Sequence, residues 1–377
     1  MKLACVAPAP PFRGGIAHFG VRLARELAYK HALQYINFSF LYPRFLFPGR
    51  TQLDHSQDSI KFYSFALLSS ISPFSWFSTG KTISTSENEA VIFHWWHPFL
   101  GPCYRGVSSA IGNSVLKLAV CHNVLPHEKN MLSEKAVRFG LSGMDGYIVH
   151  GQSEEKELSK LFPGKPILIL YHPIYDIFAG FKISKSIARK AMGINQDRKI
   201  ALYFGLIRDY KGVEVLLEAL ELLDGKMDNF KCLIVGEIYS NRKAILSKVK
   251  ALGRDKVKLL NRYVPNEDVA KWFRAADIVV LPYISATQSG IIPIAYQCDR
   301  PVITTNVGGL PDMVEEGQSG YLIEPNSPSA IADALYKYFE TQNKPDLSAG
   351  ISKVAGKLSW QGYSESLESF INQLKRN

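Results

Sequence analysis

Residues 2–7 form a short apolar run of the kind that makes a buried strand, and a Pro/Gly segment, Pro8 to Gly15, follows it. Apolar residues then recur at Phe19, Leu23 and Leu27, a helical spacing that predicts a helix over 16–29. Further apolar runs predict strands at 90–94, 118–122, 146–150 and 167–171. After a helix near 185–192 the pattern restarts. A fresh first strand is predicted at 199–204, with 205–212 as its loop and 213–223 as its helix. Strand and helix candidates keep alternating: 231–235, 241–252, 257–260, 267–275, 278–282, 290–297 and 301–304. Such alternation implies parallel sheets with helical crossovers, and the restart implies two Rossmann-like α/β domains meeting near 172–196. Near the end, Tyr363, Leu367, Phe370 and Leu374 share one helical face; that helix either covers the second domain or crosses back to the first.

A length of 377 residues agrees with two domains that each bury a core. At 46% hydrophobic and 21% charged the composition is that of an ordinary globular protein, with no low-complexity tract or fixed-period repeat. Five widely spaced cysteines, with no CxxC pair and no ligand cluster, suit reduced buried thiols in a cytosolic protein. The N-terminus offers too short an apolar stretch for a signal peptide. Nineteen uncharged residues run from Phe62 to Gly80, but six serines and Pro73 argue against a membrane-spanning helix. The net charge of +10 favours an acidic partner: nucleic acid, anionic lipid or a phosphorylated ligand. Aromatics and cations mix in Phe40-Leu41-Tyr42-Pro43-Arg44-Phe45-Leu46-Phe47 and nearby Arg50, a stretch suited either to a membrane surface or to a packed loop.

The candidate chemistry lies mainly in the second half. Phe204-Gly205-Leu206-Ile207-Arg208-Asp209-Tyr210-Lys211-Gly212 leaves a strand and enters a helix, so two cations stand where strand ends and helix starts favour anions. Arginine's planar fork and lysine's point charge suit two neighbouring phosphates. Then come Val235-Gly236-Glu237, Asn261-Arg262-Tyr263-Val264-Pro265, the polar patch Thr287-Gln288-Ser289-Gly290 behind the buried run ending Leu281-Pro282-Tyr283, and Val302 to Val314 with Gly308-Gly309-Leu310-Pro311-Asp312.

In this order and spacing the second half resembles the GT-B glycosyltransferases of family 4, which transfer a sugar with retention of anomeric configuration. In the first half, Pro10-Pro11-Phe12-Arg13-Gly14-Gly15-Ile16 resembles the family's glycine loop. Ala119-Val120-Cys121-His122-Asn123 resembles a strand ending in a histidine that faces the cleft, and Tyr171-His172-Pro173-Ile174 the hinge, with His in place of Asn.

The resemblance implies an α/β chain of the GT-B fold, two Rossmann-like domains facing a central cleft: an acceptor domain over 1–180, a donor domain over 181–358 and a helix over 359–377 returning to the first. It implies Arg208 and Lys211 on the leaving diphosphate and His122 as a further catalytic residue. Donor contacts would come from Gly14, Gly15, Gly205, Arg262, Tyr263, Val264, Thr287, Gln288, Ser289 and Gly290. No Asp-x-Asp stands at a strand end, in line with the family's metal-independent chemistry, and no cofactor is expected beyond a nucleoside diphosphate sugar as donor substrate. The expected partners are that donor and a glycan or lipid-linked acceptor, not nucleic acid, in the cytoplasm and at the inner face of the cell membrane. One departure concerns the donor turn: where the family pattern has two glutamates, this chain has Thr287 and Ala295. That departure leaves a non-catalytic nucleotide-sugar-binding scaffold as the alternative. A GT-B epimerase is disfavoured by the scarcity of acids over 285–296, and a dinucleotide dehydrogenase by the lack of GxGxxG with a downstream acid.

Overall fold

A computed structural model describes residues 1–43, 51–54, 62–125, 131–174, 183–341 and 346–376. Chain contacts divide it into two units: one holds the chain up to Tyr171 together with the segment from Trp360 onward, and the other holds His172–Ser359.

The first unit runs β1 (Lys2–Val6), α1 (Gly15–Ala28), β2 (Ala32–Phe40), β3 (Phe65–Ser69), α2 (Pro73–Thr85), β4 (Ala90–Trp95), α3 (Gly101–Ala110), β5 (Leu116–Cys121), α4 (Met131–Leu141), β6 (Gly146–Val149), α5 (Gln152–Leu161) and β7 (Ile167–Ile169). The strands pair in parallel in the order β3-β2-β1-β4-β5-β6-β7. Because side chains alternate across a strand, Val91, Phe93 and Trp95 of β4 join one apolar cluster while Ala90 and Ile92 join another on the opposite face.

The second unit continues with α6 (Lys185–Ala191), β8 (Lys199–Phe204), α7 (Val213–Leu222), β9 (Phe230–Val235), α8 (Arg242–Leu252), β10 (Val257–Leu260), α9 (Asn266–Ala275), β11 (Ile278–Leu281), α10 (Ile291–Gln297), β12 (Val302–Thr305), β13 (Gly320–Ile323), α11 (Pro328–Glu340) and α12 (Ser348–Lys357). Its parallel sheet has the order β10-β9-β8-β11-β12-β13. The buried Arg189 of α6 is held by Asp277 and by the carbonyls of Ala275 and Gln196, which anchors this helix to the sheet.

The last helix, α13 (Trp360–Arg376), belongs to the first unit. Trp360, Tyr363, Leu367, Phe370 and Ile371 pack there against Phe19, Leu23 and Leu27 of α1 and against Ile92, Val120 and Ile148 of the sheet. Its apolar stripe therefore chose the crossing-back alternative.

Between the first helix and Ala90 the apolar pattern predicts no element, yet β2, β3 and α2 form there. The edge strand β3 leaves Phe65 and Leu67 exposed, and α2 is rich in Ser and Thr, so neither shows the periodicity of a half-buried element. Of the basic aromatic stretch at 40–50, Phe40 ends β2 and Tyr42 packs on the core, while 44–50 lie outside the described residues.

Candidate functional site

In each unit two neighbouring central strands lead off to opposite sides of the sheet, β1 and β4 in the first unit, β8 and β11 in the second. At such a switch point the loops leaving the carboxyl ends of the two strands diverge and open a crevice.

In the second unit the crevice is built from four loops. The loop after β8, residues 205–212, carries Arg208 and closes with a 3-10 turn, Asp209–Lys211. It is tied to the loop after β11, since Tyr210 O accepts from the Ile284 amide at 2.8 Å. It also bridges to the loop after β9: Ile207 N donates to Glu237 O and Tyr239 N to Ile207 O, each at 2.9 Å. The loop after β12 supports the turn at 287–290, with the Gly309 amide donating to Thr287 O at 2.9 Å.

Two glycines make this closeness possible. Gly212 sits at φ 66°, and a Cβ there would lie 1.8 Å from Pro282 O; at Gly308, φ 55°, it would lie 1.8 Å from Ala286 O. Gly212→Ala is expected to cost about 2–4 kcal/mol of stability, because it combines left-handed strain with a backbone clash that cannot relax by side-chain rotation. Denaturant unfolding checks this, and a cost below about 0.5 kcal/mol would show the close approach to be slack.

Arg208 and Lys211 thus stand at the switch point, both half-buried. Among the described residues neither is ion-paired, and the buried Arg208 Nε has no hydrogen-bond partner. Burial pushes the Lys211 ammonium down to about 8; Tyr210 works against that shift and the neighbouring Arg208 adds to it. Ser289 is buried, shares a hydrogen bond with Tyr283 Oη at 3.1 Å and accepts from the Ile291 amide at 3.3 Å, while Gly290 is the residue that precedes the seven-residue α10. Thr287 and Gln288 are half-buried beside Gly309. Gly205 leaves β8 at φ 127°. Arg262, Tyr263 and Val264 follow the edge strand β10, one strand beyond β9; Arg262 is exposed, Tyr263 half-buried and Val264 buried.

In the first unit, Gly14 precedes α1 at φ 118° and Gly15 is its first residue. The chain at 51–54 lies along this glycine loop: Arg13 N donates to Gln52 O and Asp54 N to Pro11 O, at 2.9 and 2.7 Å. Asp54 is buried, with an oxygen 4.0 Å from His18 Nε2, and burial outweighs that carboxylate to lower the His18 imidazole below its ordinary value.

His122 is not isolated. His94, His122 and His150 stand at the carboxyl ends of β4, β5 and β6, with His94 Nδ1 3.0 Å from His122 Nε2 and the His122 and His150 ring centroids 5.2 Å apart. Phe19 presents its ring to all three. Of the three, only His122 was given a catalytic role from the sequence, although the strands predicted at 90–94, 118–122 and 146–150 each end on a histidine, a signal that was there to be used.

Burial lowers His94 to about 3, with His150 adding to the shift, and lowers His150 to about 4 against a hydrogen bond to Leu170 O. Both folded values lie below the ordinary 6.5, so the unfolded chain binds more protons as pH falls. Stability is therefore expected to be fully present above about pH 6.5 and to be lost progressively toward pH 4 and 3. Urea unfolding of wild type and His94→Asn across that range checks this; an unchanged pH slope in the variant would remove His94 from the account.

Comparison with known proteins matches this geometry to a class. Sucrose-phosphate synthase from Thermosynechococcus elongatus superposes with a TM-score of 0.76 over 100% of this chain and 99% of its own, at 16% identity. Anabaena HepE, solved with UDP and glucose, superposes at 0.77 over 99% and 100%, also at 16% identity. The chain has the GT-B fold, two parallel-sheet Rossmann-like units. More particularly, residues 198–341 match the model of Glycosyl transferases group 1, and the second unit carries a domain of that family. A D-inositol 3-phosphate glycosyltransferase of Streptomyces scabiei is 31% identical over 179 residues, 45% of this chain and 40% of that protein. The chain spans about half the length of the curated relatives it matches.

Proposed function

We propose that this protein is a glycosyltransferase that moves a sugar from a nucleoside diphosphate sugar to a hydroxyl of a glycan or glycolipid acceptor, with retention of configuration. One observation carries the proposal: two cations with no carboxylate partner among the described residues, Arg208 and Lys211, at the switch point of a group 1 glycosyltransferase domain. As the glycosidic bond to the diphosphate breaks, negative charge grows on the leaving group, and cations already in place lower the barrier because they need no reorganisation. In this scheme Ser289 and Gly290 contact the distal phosphate and Arg262 to Val264 the base. Thr287 and Gln288 meet the donor sugar in place of the family's glutamate. UDP bound to the HepE neighbour supports a nucleotide as ligand.

We place the acceptor in cell-surface polysaccharide or glycolipid synthesis, at the inner face of the membrane. In support, Ile71, Phe74 and Phe77 are exposed on the first unit at 53, 89 and 63%. No helix among the described residues is long and apolar enough to cross a membrane.

Thermal unfolding with UDP, ADP, GDP and their sugars tests the proposal. A cognate ligand at a hundred times its dissociation constant should add about 2.7 kcal/mol of stability, and a flat response to the whole panel would refute it. Transfer is expected to survive chelation by EDTA. Binding without transfer or hydrolysis across acceptors would instead favour a nucleotide-sugar-binding scaffold, the reading that Thr287 and Ala295 motivate.

A further inference from the structure

Arg208 and Lys211 stand on aromatic faces. The Arg208 guanidinium carbon is 5.1 Å from the centre of the Tyr239 ring. Lys211 Nζ is 3.6 Å from the centre of the Tyr283 ring and 5.3 Å from that of Tyr210. Both outer rings are fixed in turn. Tyr239 is held by its backbone N–H, which donates to Ile207 O, and by its hydroxyl, which donates to Glu237 Oε2 at 3.3 Å. Tyr283 is 1% exposed, and its hydroxyl is hydrogen-bonded to Ser289.

Resting on the reading that the two cations grip a diphosphate, the geometry points to Tyr239 and Tyr283 as positioning residues whose ring faces aim Arg208 and Lys211 at the ligand without neutralising them.

The physical reason lies in what a ring offers that a carboxylate does not. A carboxylate would hold either cation firmly, but it would cancel the charge and compete with the incoming phosphate. A ring face attracts a cation through its quadrupole and carries no net charge, so the attraction fixes direction while the field of both cations persists at the mouth of the sheet. Tyr283 has a second task. Its face seats Lys211 and its hydroxyl holds Ser289, so one rigid side chain sets the cation and the start of α10 in register. Sequence order hides this arrangement, because each ring comes from a different loop than the cation it seats.

Calorimetric titration with UDP, ADP and GDP tests the inference on Tyr239→Leu, Tyr283→Leu, Tyr239→Phe and Tyr283→Phe. The leucine variants should weaken diphosphate binding by about 5- to 30-fold, and the phenylalanine variants, which keep the ring, by no more than about threefold. A merely structural role would not predict the double-mutant result: in a Lys211→Met background, Tyr283→Leu should bind within about twofold of Tyr283→Phe, since both lack the hydroxyl that holds Ser289, and likewise Tyr239→Leu and Tyr239→Phe in Arg208→Ala. Leucine variants that bind as wild type, or losses that persist undiminished without the cation, would overturn the inference while leaving the diphosphate reading intact. If Arg208→Ala and Lys211→Met themselves bind every diphosphate normally, that reading falls and takes this inference with it. Should Tyr283→Leu not fold, Tyr283→Met and the Tyr239 pair give the same comparison.

Discussion

Arg208→Ala is expected to lower turnover by about 10²- to 10³-fold, equivalent to about 2.7–4 kcal/mol of transition-state stabilisation, with the fold unchanged. The expectation combines two facts about the side chain. It lies in a loop pinned on both sides by backbone hydrogen bonds, Ile207 to Glu237 and Tyr210 to Ile284, so truncation leaves the loop in place. It also makes no ion pair among the described residues and leaves Nε unpartnered, so its removal strands no buried carboxylate. Circular dichroism and thermal unfolding should therefore match wild type while transfer collapses. Near-normal turnover would remove Arg208 from leaving-group stabilisation. Arg208→Lys should recover only part of the loss, because a point charge cannot reproduce the planar fork on two phosphate oxygens.

Lys211→Met should separate stability from activity. Burial and Arg208 hold the Lys211 ammonium down to about 8, below the 10.5 of an exposed lysine. A lysine whose folded value is depressed costs stability in full below that value, since there the folded chain must hold the charge in its partly desolvated place. The cost is relieved as pH rises from about 8 to 10.5, where the unfolded chain still holds a proton that the folded one has released. At neutral pH, Met should therefore raise stability by about 1–3 kcal/mol while abolishing most of the transfer activity, the trade expected where a site stores an uncompensated charge.

The same value sets the pH dependence of binding in the wild type. A diphosphate favours the charged lysine, so affinity should be level up to about pH 8 and then fall by up to about tenfold per unit as a proton must be taken up on binding. The ligand's terminal phosphate, with a pKa near 6, is ionised throughout that range and does not contribute to the fall. Calorimetry in buffers of different ionisation enthalpy reads the proton uptake directly. A flat profile from pH 7 to 9.5 in the wild type, or no gain in stability in Lys211→Met, would contradict the assignment of an uncompensated ammonium.

Much of the second unit was legible in the sequence. Its strands are near-continuous apolar runs because both faces of a parallel sheet are covered, and Gly, Pro and Asn punctuate them, so predicted and observed bounds coincide at 199–204 and 257–260 and differ by one residue at 278–282. Its loops were legible for a different reason: Arg208, Lys211, Ser289 and Gly290 sit at fixed offsets from strand ends, and position relative to a strand end is what a linear pattern records. The first unit was less legible between residues 30 and 89. There β3 is an exposed edge and α2 packs with few large apolar residues, so burial left little periodic trace.

The chain's order of residues by itself determined the alternation of strand and helix, the restart that makes two units, and the placement of two cations and a polar turn at strand ends. All of these follow from local propensity and from the apolar stripe each element must bury. Tertiary structure decided the rest. It sent α13 back to the first unit, because the stripe of Trp360, Tyr363 and Leu367 fits the groove beside Phe19 and α1. It gathered His94 and His150 beside His122 and put Tyr239 and Tyr283 beneath the cations, because parallel pairing sets the carboxyl ends of neighbouring strands side by side: β4, β5 and β6 for the histidines, and β9 and β11 on either side of β8 for the rings. Proximity of that kind depends on strand order in the sheet, and no residue's immediate neighbours in the chain encode it.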